Sequence, residues 1–158
     1  MHATKNDLPE AIRVQVATYL NVHLADCLDL GTQAKQAHWN VRGANFRTLH
    51  QLFDDIAEDV AVYADQIAER VVQLGGTARG TARAVAVNSG LTEYPHDLSG
   101  CKSHIDAISS ALAEFGRTVR EGTTHVAELG DADTADILTE ISRSVDKWLW
   151  MVEAHEPA

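Results

Sequence analysis

Lys35–Arg70, KQAHWNVRGANFRTLHQLFDDIAEDVAVYADQIAER, is the stretch on which the reading of this chain turns. It gathers His38, His50, Asp54, Asp65 and Glu69 into one window. Four of the five form two pairs at i,i+4, the spacing that brings side chains together on one face of a helix. Taken singly, each has a plainer reading: a histidine on an apolar stripe is usually a satisfied core residue, and i,i+4 carboxylates are usually a solvated face. Imidazole and carboxylate groups combined in this pattern point to metal binding.

Outward from that window the chain reads as helices. Upstream, Asp7-Leu8-Pro9-Glu10 looks like a helix start, with Asp7 as cap and Pro9 in the first turn, where its missing N–H costs nothing. Leu8, Ile12, Val16, Leu20, Leu24 (or His23), Cys27, Leu30 and Ala34 recur at helical spacing, and His38 continues the stripe to an end near Asn40. After a turn at Gly43 and a cap at Asn45, Phe46, Leu49, Phe53, Ile56, Val60, Ile67, Val71 and Leu74 mark a second helix, stopped by Gly75-Gly76. The pattern then weakens to Gly100 around LGGTARG and Pro95, with one short helix over Thr81 to Val87. Cys101, Ile105, Ile108, Leu112, Phe115 and Val119 make a third main helix. Ile137 or Leu138, Ile141, Val145, Trp148, Leu149 and Val152 make a fourth. The expected fold is all-α, a ferritin-like four-helix bundle with one long crossover carrying a short extra helix. It forms a single domain over 1–158, with tails at 1–6 and 154–158.

Composition narrows the function. A hydrophobic content of 45% with 23% charged residues is that of a soluble globular domain, and no apolar run is long enough to cross a bilayer, so no membrane partner is expected. The start MHATKNDLPE has neither an export nor a transit pattern, which by default gives a cytoplasmic location. Cys27 and Cys101 are far apart in apolar helical settings and read as buried free thiols. A net charge of −10 favours cations over nucleic acid.

Helix two carries the geometry. At about 100° per residue its core stripe faces one way, while His50, Asp54, Asp65 and Glu69 lie roughly 100° to 200° round from it, pointing out of the bundle. Asp54 and Asp65 are about 17 Å apart along the axis, so one ion cannot reach both pairs within one chain. Yet 50 and 69 share a midpoint with 54 and 65, between Asp59 and Val60. Two antiparallel copies related by a two-fold axis there would set His50 against Glu69 and Asp54 against Asp65, giving two identical sites per dimer. Ala57, Ala61, Ala64 and Ala68 are small enough for close approach. His38 can add a nitrogen ligand. The mixed ligand set suits iron or zinc more than calcium, and bridging carboxylates suit a pair of iron ions.

The run Lys35, His38-Trp39-Asn40, Gly43, Phe46, Leu49-His50, Phe53-Asp54, Asp65, Ala68-Glu69-Arg70 resembles the signature of the Dps mini-ferritins, DNA-binding proteins from starved cells. DTADIL at 133–138 and DKWLW at 146–150 are also similar to that family. The resemblance implies a hollow homo-dodecamer built from two-fold dimers. Such a shell acts as a ferroxidase, oxidising Fe(II) with hydrogen peroxide in preference to oxygen, and stores ferric oxide. It further implies that His38, His50 and Asp54 come from one subunit and Asp65 and Glu69 from its partner, with zinc possible at the same site. Trp39, by the same resemblance, lies beside the iron and absorbs stray oxidising equivalents; the plainer alternative is a core residue.

Asp131, Asp133 and Asp136 either complement the dipole of the last helix or, as the resemblance implies, line an acidic three-fold pore, with Asp136 the best positional match. Asp55 and Glu58 read equally as mineral seeds or as ordinary exposed acids, and His2, His23, His96, His104, His125 and His155 show no comparable spacing. A di-iron site inside one bundle needs Glu-x-x-His on helices, and the sole match, Glu93-Tyr94-Pro95-His96, falls in the crossover. The rival function, a nucleoid-compacting DNA shell with incidental metal, needs basic tails. MHATKND offers only Lys5 and EAHEPA no basic residue, so DNA binding is not expected.

Overall fold

The computed structural model describes residues 1–155; of the expected tail at 154–158, residues 156–158 lie outside the described residues. Five helices follow in order: α1 Glu10–Asn40, α2 Phe46–Gln73, α3 Ala82–Asn88, α4 Gly100–Glu128 and α5 Ala132–Glu153. No strand occurs among the described residues. Short loops fold α1 onto α2 and α4 onto α5, and contacts of α1 with α4 and of α2 with α5 close a four-helix bundle. The crossover carries α3 along α1. Its position matches the short helix expected over Thr81 to Val87, displaced by one residue.

One hydrophobic cluster runs through the bundle, with Leu20, Leu30, Leu49, Phe53, Ile56, Ile67, Ile108, Leu112, Phe115 and Leu138 fully buried. The α1 helix is buried on more than one face, because the bundle covers one side and the crossover another. Val16, Leu20, Leu24, Cys27 and Leu30 fill the core, while Asp26 and Gln33 are also buried and hold the crossover. Asp26 accepts the Gly90 N–H at 2.7 Å, Asp29 accepts the Ser89 hydroxyl at 2.7 Å, and Gln33 donates to the Thr92 carbonyl at 3.0 Å. Backbone groups that a long loop would otherwise leave unpaired are met in this way.

Several local expectations are corrected. Pro9, not Asp7, occupies the cap position of α1, and no side chain caps it; the Asn6 side chain instead accepts the Leu8 N–H at 3.0 Å. Asn45 stands at the cap of α2 but makes no capping bond. Phe46, assigned to the core stripe, is 45% exposed, and Cys101 is only half-buried, its thiol turned to the Arg42 carbonyl. Of the four small residues expected to admit a second helix, Ala57 and Ala64 pack inside their own bundle, leaving Ala61 exposed and Ala68 half-buried.

The expected stop at Gly75-Gly76 is present for a steric reason. Gly75 has φ +86°, and a Cβ there would meet the His2 carbonyl at 2.7 Å. The N-terminal segment lies across this helix end, fixed by the His2 N–H to the Gly75 carbonyl at 2.6 Å. Arg13 adds bonds to the Leu8 and Leu74 carbonyls at 3.0 and 2.9 Å.

Candidate metal centre

His38 stands in the last turn of α1, and His50 and Asp54 in the first turns of α2, so the short connection at residues 41–45 brings all three to one end of the hairpin. The two imidazoles stack, with centroids 3.7 Å apart and planes 21° apart. Nδ1 of His38 lies 2.6 Å from the His50 carbonyl, and Nδ1 of His50 lies 2.8 Å from the His38 carbonyl. A carbonyl only accepts, so both rings carry their proton on Nδ1 and keep a lone pair on Nε2. Metal-binding histidines are commonly held in this way by their second nitrogen.

Asp54 is half-exposed, with its Oδ1 3.9 Å from His38 Nδ1. Lys35, one turn before His38, reaches the same oxygen in close contact. This ammonium, helped by the nearby histidines, holds the Asp54 carboxyl below the usual carboxylate range against a smaller opposing effect of desolvation. In the sequence Lys35 stands out only as part of the family motif. The i,i+3 relation to His38 was the signal that it shares the site.

Asp65 and Glu69 are exposed farther along α2, and neither has a hydrogen bond or ion pair among the described residues. Glu69 borders a shallow, largely apolar hollow of about 460 Å³ with Ala68, Val72, Gln73 and Ala78. Among the described residues, no three His, Cys, Asp or Glu side chains converge tightly enough to hold an ion within one chain. The chain thus presents two separate groups: two imidazoles with one carboxylate at the α1–α2 junction, and two unpaired carboxylates farther along α2. Trp39 is 66% exposed, so it is not a core residue.

The three aspartates around the start of α5 separate. Asp131 is 2% exposed and caps the helix, accepting the Thr134 N–H at 3.0 Å and its hydroxyl at 2.6 Å. It also pairs with Arg70 Nη2 at 2.6 Å, so this carboxylate is committed inside the fold. Asp133 and Asp136 are exposed. Asp59, at the midpoint of the ligand pattern, accepts the Trp148 indole N–H at 2.9 Å and ties α2 to α5.

A ferritin-like domain model matches residues 17–156. The DNA protection during starvation protein of Agrobacterium fabrum is 44% identical over 154 residues, covering 98% of this chain and 95% of that protein. Among solved structures, Mycobacterium smegmatis Dps in its tetragonal form superposes with a TM-score of 0.92 at 29% identity, covering 97% of this chain and 93% of that one. DpsC from Streptomyces coelicolor superposes with a TM-score of 0.92 at 30% identity, covering 99% and 93%. The fold is that of a ferritin-like protein. Within that family, the chain belongs to the Dps mini-ferritins.

Proposed function

We propose that this protein is a ferroxidase and iron store working as a single-domain subunit of a cytoplasmic homo-dodecamer. Its iron site is shared between two subunits, with His38, His50 and Asp54 from one and Asp65 and Glu69 from the other. The observation that carries this reading is the pair of incomplete half-sites on α2, mirrored about Asp59 and Val60 and each lacking what the other supplies. The same mirror sets exposed Phe46 of one chain against Gln73 of the next, beside the hollow at Ala68, Val72 and Ala78.

Fe(II) is the substrate. Nε2 of each histidine offers a neutral nitrogen, and the carboxylates supply negative charge that favours Fe(III) over Fe(II), which lowers the cost of oxidation. Lys35 neutralises Asp54 until iron replaces it. Two ferrous ions provide both electrons needed to take hydrogen peroxide to water, so peroxide is the preferred oxidant over oxygen and hydroxyl radical is not released. Trp39, exposed next to His38, takes up oxidising equivalents that escape. Asp133 and Asp136 line the iron entrance, with Asp131 fixing the helix that carries them. Zinc fits the same ligands and acts as a redox-inert competitor. The relatives' names speak of DNA protection, and here that protection comes from removing iron and peroxide.

The test is anaerobic Fe(II) loading followed by stopped-flow mixing with peroxide or with oxygen. Faster ferric absorbance with peroxide, at two Fe(II) consumed per peroxide, supports the reading. No oxidation above the protein-free rate contradicts it.

A further inference from the structure

Each end of α2 carries a charge of the sign that its dipole disfavours there. Arg47 stands in the first turn, which holds no acidic residue, and Glu69 stands one turn before the end at Gln73. Both side chains are exposed, and neither has a hydrogen bond or ion pair among the described residues. Their neighbours are committed elsewhere: Asp54, the first carboxylate after Arg47 along α2, is held by Lys35, and Arg70, beside Glu69, by Asp131. Arg47 and Glu69 lie about 33 Å apart along the helix axis, so one chain cannot pair them.

Register and shape supply the second observation. At about 100° per residue, Arg47 falls within the arc of the α2 surface that carries His50, Asp54, Asp65 and Glu69. The mirror about Asp59 and Val60 that sets His50 against Glu69 puts Arg47 opposite Val72, one turn beyond Glu69. Val72 and Glu69 border, with Ala68, Gln73 and Ala78, the shallow and largely apolar hollow of about 460 Å³. A hollow lined by small apolar side chains and edged by one carboxylate suits an arginine, whose stem is apolar and whose head is charged.

We propose that Arg47 of one chain lays its stem in this hollow on a second copy and donates from its guanidinium to the Glu69 carboxylate there. The occupant is a second copy because the charges complement each other end to end: antiparallel pairing sets the basic start of α2 against its acidic end, once at each site. Arg47 is then a positioning residue. By holding one oxygen of Glu69 it leaves the other to face the opposed His50, without itself being a ligand. The inference rests on the two-fold pairing of α2 in the proposed function and adds to it a contact outside the ligand set.

The experiment is a double-mutant cycle on assembly of the iron-free protein, followed by sedimentation as it dissociates on dilution. Arg47→Gln and Glu69→Gln should each raise the dissociation constant about tenfold, the size expected for one charge-assisted hydrogen bond. The double variant should be no weaker than either single one, because both changes remove the same contact. At concentrations that keep the shells intact, Arg47→Gln should also bind Fe(II) anaerobically more weakly than the unmodified protein, and Arg47→Lys should restore most of that loss. Unchanged assembly in Arg47→Gln, or additive effects in the double variant, would overturn the pairing. If mixed shells of histidine and carboxylate variants still recover oxidation, such a result overturns the pairing alone; no recovery overturns the shared site and the pairing with it.

Discussion

His38 and His50 each turn Nδ1 to the other's backbone carbonyl, at 2.6 and 2.8 Å, across the junction of α1 and α2. This reciprocal pair fixes both tautomers and both ring planes before any metal arrives. The histidine half of the proposed site is therefore preorganised by the hairpin itself, with Asp54 as its one carboxylate.

Lys35 should set the acid limit of Fe(II) binding. Its ammonium holds the Asp54 carboxyl below the usual range, so the carboxylate stays ionised to lower pH. Any stability that pairing gives is present above the unfolded pKa and lost as pH falls through the folded one. In Lys35→Gln the Asp54 pKa rises, so the acid limb of anaerobic Fe(II) binding moves to higher pH. At neutral pH, where no ammonium has to be displaced, binding tightens. An unchanged titration would show that the contact has no bearing on the metal.

His23 gives the fold an acid-sensitive point. It is 3% exposed with neither ring nitrogen hydrogen-bonded, and burial lowers its pKa from 6.5 to about 4, with Glu121 opposing weakly. The unfolded chain then binds the extra proton first, so stability is complete above pH 6.5 and declines as pH falls toward about 4. The loss is on the order of 3 kcal/mol across that window. Urea unfolding at fixed protein concentration should show this decline, and His23→Leu should flatten it; parallel profiles for the two proteins would refute the assignment.

Breaking the Arg70–Asp131 pair should be costly. Arg70→Met leaves Asp131 buried with only Thr134 for support and should lose about 3–5 kcal/mol. Asp131→Asn weakens the cap as well as the pair. The double variant Arg70→Met with Asp131→Asn should lose less than the two single losses together, because both act on one interaction. Thermal unfolding of the four proteins measures this, and strict additivity would mean that the pair is not coupled.

No retardation of plasmid is expected in a gel-shift titration at neutral pH and about 50 mM salt without divalent ions, where counterion release favours binding most. Acidic residues outnumber basic ones by 23 to 13, and several exposed basic side chains are paired within the chain, Lys102 with Asp106, Arg117 with Glu121 and Arg120 with Asp146. Salt-sensitive retardation at submicromolar protein would contradict this.

The helical repeat of apolar residues made four main helices, the crossover and even α3 legible, because each long helix buries a periodic face. What the repeat could not show was how α1 is covered twice, and so why Asp26 and Gln33 are buried. Caps were misjudged at Asp7 and Asn45 because a suitable residue type does not guarantee the backbone geometry that lets it bond. The spacing on α2 made legible that His50 and Asp54 lie together at one end of the helix while Asp65 and Glu69 stand exposed farther along it. The reciprocal histidine bonds and the Lys35 contact lie between residues whose closeness depends on tertiary packing, beyond what spacing on one helix encodes.

The shared site is the central claim, and mixed assembly tests it most directly. One protein carries Asp65→Ala with Glu69→Ala, the other His38→Ala with His50→Ala; alone, each should assemble and oxidise Fe(II) no faster than free solution. Co-refolded from denatured subunits, the mixture should recover part of the peroxide-driven rate, because a mixed dimer keeps one intact site. Properly assembled mixed shells with no recovery at all would show that the two halves do not meet across subunits.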